Sequence, residues 1–198
     1  MTMRIETIEI AGMAAALTAL RLPFGKEVRS EILKTNACVS DLKLRTGDVV
    51  FDSFHSSYTI LVHPKDKELM NTLVKRGTEH AKVTRGIMVW AKITAPIYWW
   101  CEMETYVVGH QRLSSESTMH MDCRGLSGDN LVSAKAAIPM GKELTKVDAF
   151  SYQALRNIVR QRWNHRLPEW HEFVDWVKTL PFSQELILDG LDIKEDKI

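Results

Sequence analysis

The chain has 198 residues and a mass of 22.7 kDa, with 45% hydrophobic and 26% charged residues. That is the balance of one soluble globular domain long enough to bury a core. Twenty-six Lys and Arg against 25 Asp and Glu leave a net charge of +1, which excludes a protein that coats nucleic acid or an anionic membrane by bulk charge.

In chain order, residues 5–10 alternate as a short strand does. Residues 12–22 are rich in Ala and Leu and read as a helix stopped by Pro23 and Gly25. The uncharged run 10–20 is about half a membrane span, and Arg4 followed by Glu6 lacks the basic flank of a signal peptide. Residues 49–62 mix β-branched and aromatic types and predict a strand, with Ser56-Ser57 as a turn. Residues 64–76 predict a helix. Pro64 suits its first turn, Asp66 and Glu68 its N-terminal half, Lys75 and Arg76 its end, and Gly77 its stop.

Residues 86–94, GIMVWAKIT, form the strongest strand signal. Pro96 ends it and opens a helix predicted over 97–108. Two more helices are predicted, over 148–163 and over 168–180 before Pro181. Residues 189–198 read as a loose charged tail, leaving 1–188 as a single domain. There is no repeat, no βαβα rhythm and no glycine-rich phosphate loop, so the fold expected is α/β of the α+β kind. Cys38, Cys101 and Cys123 are odd in number and widely spaced. They predict no disulfide framework and no zinc ribbon, and favour a reducing, cytoplasmic compartment.

Some residues do not fit a purely structural reading. On the helix predicted over 148–163, Leu155, Ile158, Val159 and Arg162 share one face, together with Asp148 and Ser151. An unpaired charge on an apolar stripe is costly. Arg162 therefore either pairs with an acid or reaches solvent, or it aims its planar fork at an anionic ligand. The segment 97–108 is apolar on most sides yet carries Glu102 and Glu104, and a carboxylate there needs a donor, whether an arginine or a ligand N–H. Residues 110–120, HQRLSSESTMH, read either as a solvated loop or as a set of phosphate donors. The histidine spacings fit no metal motif, and no GxSxG elbow is present. Six tryptophans suit a core, or a flat-ring cofactor.

The order of these motifs resembles the flavin-dependent thymidylate synthases. Glu79-His80 precedes a strand, and Ala95-Pro96-Ile97 opens a helix. A serine-rich stretch ends in Ser117-Thr118-Met119-His120. Leu155-Arg156 with Arg162 follow, and then Glu169-Trp170 and Pro181. The resemblance runs over residues 78–182. Anchored on Pro96, the family glutamine falls on Glu102 and its Arg-His-Arg on Thr105-Tyr106-Val107, with His110 and Arg112 a few residues on. Met119 stands where the family has an arginine.

The resemblance implies a mixed sheet flanked by helices, assembled as a homotetramer. It also implies FAD held against dUMP, with NADPH and methylenetetrahydrofolate as co-substrates, for reductive methylation at C5. In that frame Arg162 and Glu102 are the catalytic candidates. Arg162, Arg112, Ser114, Ser115 and Ser117 would bind the nucleotide, and His80, His110, His120 and Tyr106 the cofactor. No metal, nucleic acid or membrane partner is implied. A related modification such as hydroxymethylation, and a non-catalytic nucleotide-binding homologue, are the alternatives.

Overall fold

The computed structural model describes residues 3–34, 48–52 and 58–191. Their strands form two sheets. The larger has the order β1-β5-β7-β6, built from β1 (Arg4–Ala11), β5 (Met88–Pro96), β6 (His110–Ser115) and β7 (Glu143–Ser151). The smaller has the order β2-β4-β3, from β2 (Glu31–Lys34), β3 (Val49–Asp52) and β4 (Tyr58–Val62). The α+β class is as expected. Every described pairing, however, is antiparallel rather than mixed in direction.

The strand β5 organises the core. Val89, Ala91, Ile93 and Ala95 are fully buried, and Lys92 between them is exposed, the period-2 pattern of a strand with one face covered. Directly opposite residues of antiparallel strands share a face. The register sets Ala91 opposite Asp148, Ile93 opposite Lys146 and Val89 opposite Phe150 on β7, and Arg112 and His110 of β6 lie opposite Asp148 and Phe150. The core face of the sheet is therefore apolar on β5 and charged toward the β6 edge.

Helices cover that face. They include α3 (Ile97–Met103), α6 (Tyr152–Arg162) and α7 (Pro168–Lys178), whose Trp99, Trp100, Leu155, Ile158, Trp170 and Phe173 are buried. Tyr98 of α3 donates to the buried Glu169 of α7, and that hydrogen bond to a carboxylate pushes the phenol up to about 12. Two short helices, α4 (Thr118–Met121) and α5 (Gly128–Ala136), lie between β6 and β7 in the chain.

Several boundaries differ from the sequence expectation. The helix predicted over 148–163 begins only at Tyr152. Asp148 belongs to β7, and Ser151 is the cap, accepting from the Ala154 amide at 3.1 Å. The helix predicted over 97–108 ends at Met103, and Val107 and Val108 are exposed. Residues 110–120 are not a loop, because β6 pairs with β7 before α4 begins. The single strand predicted over 49–62 is the β3–β4 pair, with Ser56-Ser57 outside the described residues. Asp189, the first residue of the predicted loose tail, is held by Asn71 and Lys75 at 2.9 Å each. Among the described residues no helix is long and apolar enough to cross a membrane.

Two contacts shape the region where α1 (Met13–Leu20) and α2 (Pro64–Lys75) pack. Gly12 at φ +90° enters α1 so close to Gly86 that a Cβ would overlap the Gly86 carbonyl. Asp66, fully buried in the first turn of α2, accepts from Arg21 Nε at 2.6 Å, the Arg29 amide at 2.8 Å, and the Ser30 amide and hydroxyl at 2.7 and 2.8 Å. Burial opposes the ionised form, but these hydrogen bonds from Ser30, Arg21 and Arg29 outweigh it and hold the carboxyl below its ordinary range.

A carboxylate depressed in this way stabilises the fold above its unfolded value near 3.8, and the contribution is lost as pH falls through the folded value. Asp66→Asn is expected to lower stability by roughly 2–4 kcal/mol at pH 7 in urea unfolding. The deficit should shrink in acid, where the wild type also loses its charge.

Candidate functional site

The expected site residues gather in two places, with a few left outside both. The first is a chain of alternating charges over the β6–β7 edge. Asp148, with no exposed side-chain surface, accepts from His110 Nε2 at 2.8 Å and from Arg112 Nε at 3.2 Å. Arg112 Nη1 also donates to Glu104, which accepts Lys146 Nζ at 3.0 Å. Lys146 and Arg112 both lie over the Trp100 ring, at 4.4 and 5.3 Å. Burial opposes the Glu104 carboxylate, but the Arg112 and Lys146 hydrogen bonds hold its pKa below the ordinary value. The Arg112 guanidinium is likewise opposed by burial yet shifted upward by Asp148 and Glu104.

A second knot joins α3, α6 and α7 through Glu102. Its Oε2 accepts Arg162 Nη1 at 2.8 Å and Trp170 Nε1 at 2.9 Å, with His165 Nε2 at 3.4 Å. Arg162 Nε donates to the Tyr106 hydroxyl at 2.7 Å, and the guanidinium lies 4.7 Å from the Trp170 ring. Of the two readings open for Arg162 in the sequence, the pairing with an acid is what the fold displays. Its partner is the same Glu102 that itself required a donor. The knots meet at Tyr106, whose carbonyl lies 2.7 Å from His110 Nδ1.

Separate from these knots is a cavity of about 640 Å3 between α1, α2 and the 3-10 turn Lys82–Arg85. Ala15, Ala16, Ala19, Phe24, Leu73 and Val83 give it an apolar lining, and Arg76, Glu79, His80 and Lys82 line it with charge and imidazole. The side chains of Arg76, His80 and Lys82 are engaged by no hydrogen bond or ion pair among the described residues. Lys82 is not singled out in the sequence, and Arg76 reads there only as the basic end of a helix. The signal for them was local, since they flank Gly77 and the Glu79-His80 pair.

Of the expected cofactor residues, His80 lines this cavity, His110 and Tyr106 belong to the charged knots, and His120 is exposed on α4. Ser114 and Ser115 are exposed on the edge strand β6, and Ser117 precedes α4. Arg112 and Arg162 are linked through Asp148, His110 and Tyr106, and Ser114 and Ser115 follow Arg112 on β6 without a hydrogen bond to either arginine among the described residues. Asp148, Lys146 and Trp170 complete the knots. A strand assignment for 143–151 would have found the first two, and the neutral-looking Trp170 carried no signal of its indole bond.

No protein-family model and no curated protein matches the sequence. Solved structures do match in fold. Thymidylate synthase X from Helicobacter pylori with FAD and dUMP aligns with a TM-score of 0.63 at 13% identity, covering 96% of this chain and 99% of that one. A second structure of the flavin-dependent thymidylate synthase from the same organism, complexed with FAD and dUMP, gives 0.63 at 11% identity over 95% and 99%. A UMP/dUMP methylase from Streptomyces cacaoi bound with 5-Br dUMP gives 0.57 at 12% identity over 93% and 94%. The chain thus has the fold of the flavin-dependent thymidylate synthases, as its motif order implied.

Two outcomes follow from the Glu102 knot. Arg162→Ala is expected to cost about 1–3 kcal/mol of stability, because it leaves Glu102 and the Tyr106 hydroxyl short of a donor. Arg162→Lys should recover only part of that loss, lacking the planar fork. Thermal unfolding of both variants checks this.

His165 accepts the Leu167 amide on Nδ1 at 3.2 Å, so Nε2 carries the proton. Burial pushes its pKa below 6.5, Arg162, Arg166 and His171 add to that, and Glu102 opposes it only partly. A base with a lowered folded value stabilises the fold above 6.5, and that contribution is lost as pH falls through the window below it. The thermal midpoint should drop across that window, and His165→Asn should flatten the drop.

Proposed function

We propose that the chain is a flavin-dependent enzyme that acts on a pyrimidine nucleotide, with reductive methylation of dUMP at C5 to dTMP as its reaction. The observation that carries this reading is a fold shared over 93–96% of the chain with proteins crystallised with FAD and dUMP or with 5-Br dUMP. The α1–α2 cavity supports it independently, because its residues suit a flavin. Ala15, Ala16, Ala19, Phe24, Leu73 and Val83 would pack a flat ring, His80 would lie beside it, and Arg76 and Lys82, unpaired among the described residues, would hold the phosphates.

When bound, FAD supplies the redox chemistry, with NADPH as reductant and methylenetetrahydrofolate as the carbon donor. The task left to the chain is to bind, orient and exclude water. Ser114, Ser115 and Ser117 would offer hydroxyl donors to the nucleotide phosphate. Arg162 and Glu102, in the family's arginine and glutamine places, would present a donor and an acceptor to the uracil edge by exchanging part of their mutual bond for the ligand. The assembly proposed is a cytoplasmic homotetramer.

One observation favours a second reading, a nucleotide-binding homologue without catalysis. Arg112 and Arg162, the cations offered to the nucleotide, are already neutralised by Asp148, Glu104 and Glu102.

A visible absorbance spectrum of the purified protein, repeated after FAD and then dUMP, separates the two. The expected result is a flavin band that co-purifies or forms on adding FAD and shifts with dUMP. Arg76→Ala combined with Lys82→Ala should weaken FAD binding by about tenfold or more, the loss of at least one charge-assisted contact. A protein that ignores FAD overturns the enzyme reading. Incubation with dUMP, NADPH and methylenetetrahydrofolate, followed by mass analysis, distinguishes a methylated from a hydroxymethylated product.

A further inference from the structure

We propose that His110 is a doubly protonated imidazolium clamped between two acceptors, and that it is the positioning residue for the 105–109 turn and, through Tyr106, for Arg162. The inference rests on the geometry of this chain alone and does not depend on the reaction.

Both ring nitrogens face groups that accept. Nε2 lies 2.8 Å from Asp148 Oδ2, and Nδ1 lies 2.7 Å from the Tyr106 carbonyl oxygen. A backbone carbonyl has no proton to give. Asp148 has none either, because its remaining partners are Arg112 Nε at 3.2 Å on Oδ1 and Arg112 Nη2 at 3.4 Å on Oδ2, and a guanidinium only donates. A neutral imidazole donates from one nitrogen and would set a lone pair against an acceptor at the other. Flipping the ring does not help, since it brings carbons to the acceptor positions.

The ring has no room to escape either. Its side chain is only 6% exposed, and it stacks on Phe150 at 4.6 Å with an interplanar angle of 3°. The charged groups around it are Asp148 and Lys146 from β7, Arg112 from its own strand, and Glu104 from the end of α3. With His110 protonated, the sequence His110, Asp148, Arg112, Glu104, Lys146 alternates in sign at every step.

The turn is pinned at both ends, and at its start the Thr105 amide donates to the Glu102 carbonyl at 3.2 Å. The Gly109 carbonyl accepts the Ser151 amide at 2.7 Å, and Gly109 has φ +74° with its α-carbon so near Ser151 Oγ that a Cβ would overlap it. Between the pins, the Tyr106 carbonyl is held by His110 and the Tyr106 hydroxyl holds Arg162. A ring left with one proton keeps it toward the buried Asp148 carboxylate, the stronger acceptor, so the Tyr106 carbonyl loses its donor and one of the holds on Arg162 loosens.

The test is nuclear magnetic resonance on the full chain labelled with 15N-histidine. At pH 7 both His110 nitrogens are expected to show the N–H signature of an imidazolium. A neutral ring in a single tautomer overturns the proposal. A second measurement uses His110→Phe, which keeps the stacking on Phe150 and removes both donors. Amide exchange at Thr105 and Tyr106 should then accelerate about tenfold or more while the α6 amides stay protected. Unchanged exchange in the folded variant overturns the positioning role. If that variant does not fold, the wild-type spectrum decides, together with exchange in the same turn as pH is raised. A turn that stays protected once the ring has lost its second proton refutes it.

Discussion

One buried carboxylate sets the terms for half of this molecule. Asp148 stands on the core face of the main sheet, with no surface of its own in water, where an uncompensated charge would cost several kcal/mol. It can stay there only because β6 pairs in a register that brings His110 and Arg112 to its two oxygens. The identity of the edge strand, the direction of the two cations and the anchoring of the turn before β6 are all consequences of that single requirement. A sheet with an apolar residue at this position would have no reason to draw in an arginine or a histidine.

The same requirement explains why the cations of this face are not free. Arg112 and Arg162 are each held by a carboxylate, an aromatic ring and at least one further hydrogen bond. Their donors are directed inward and spent on holding helices to the sheet. The α1–α2 cavity is the opposite case, with an apolar lining and cations that have no hydrogen-bond or ion-pair partner among the described residues. The described cations thus divide between those held by carboxylates and those that line the cavity.

The helix α2 and the strand β5 could be read from the sequence because each obeys one local rule throughout. Pro64, Asp66 and Gly77 punctuate the first, and period-2 burial runs the length of the second. The strand β7 could not, since Lys146 and Asp148 occupy positions that alternation reserves for apolar side chains. Missing it shifted the start of α6 by four residues and put Asp148 on the wrong element. The oddity of Arg162 and the need of Glu102 for a donor were both legible, as periodicity and burial arguments. That each satisfies the other was not, because their contact spans α3 and α6, and no local pattern encodes such a pairing. The motif order carried the family fold across this gap, although the spacing alone did not align its residues into one site.

The close approach of Gly12 to the Gly86 carbonyl gives the α1–α2 cavity an unusual property. On the edge that Gly86 gives it, backbone touches backbone, and neither residue has a side chain to trim or enlarge. Substitutions at Ala15, Ala19 or Val83 would change what the cavity is made of, but not that contact. The lining can therefore drift over evolutionary time while the seat of α1 against Gly86 stays fixed, because any side chain at Gly12 would dislodge it.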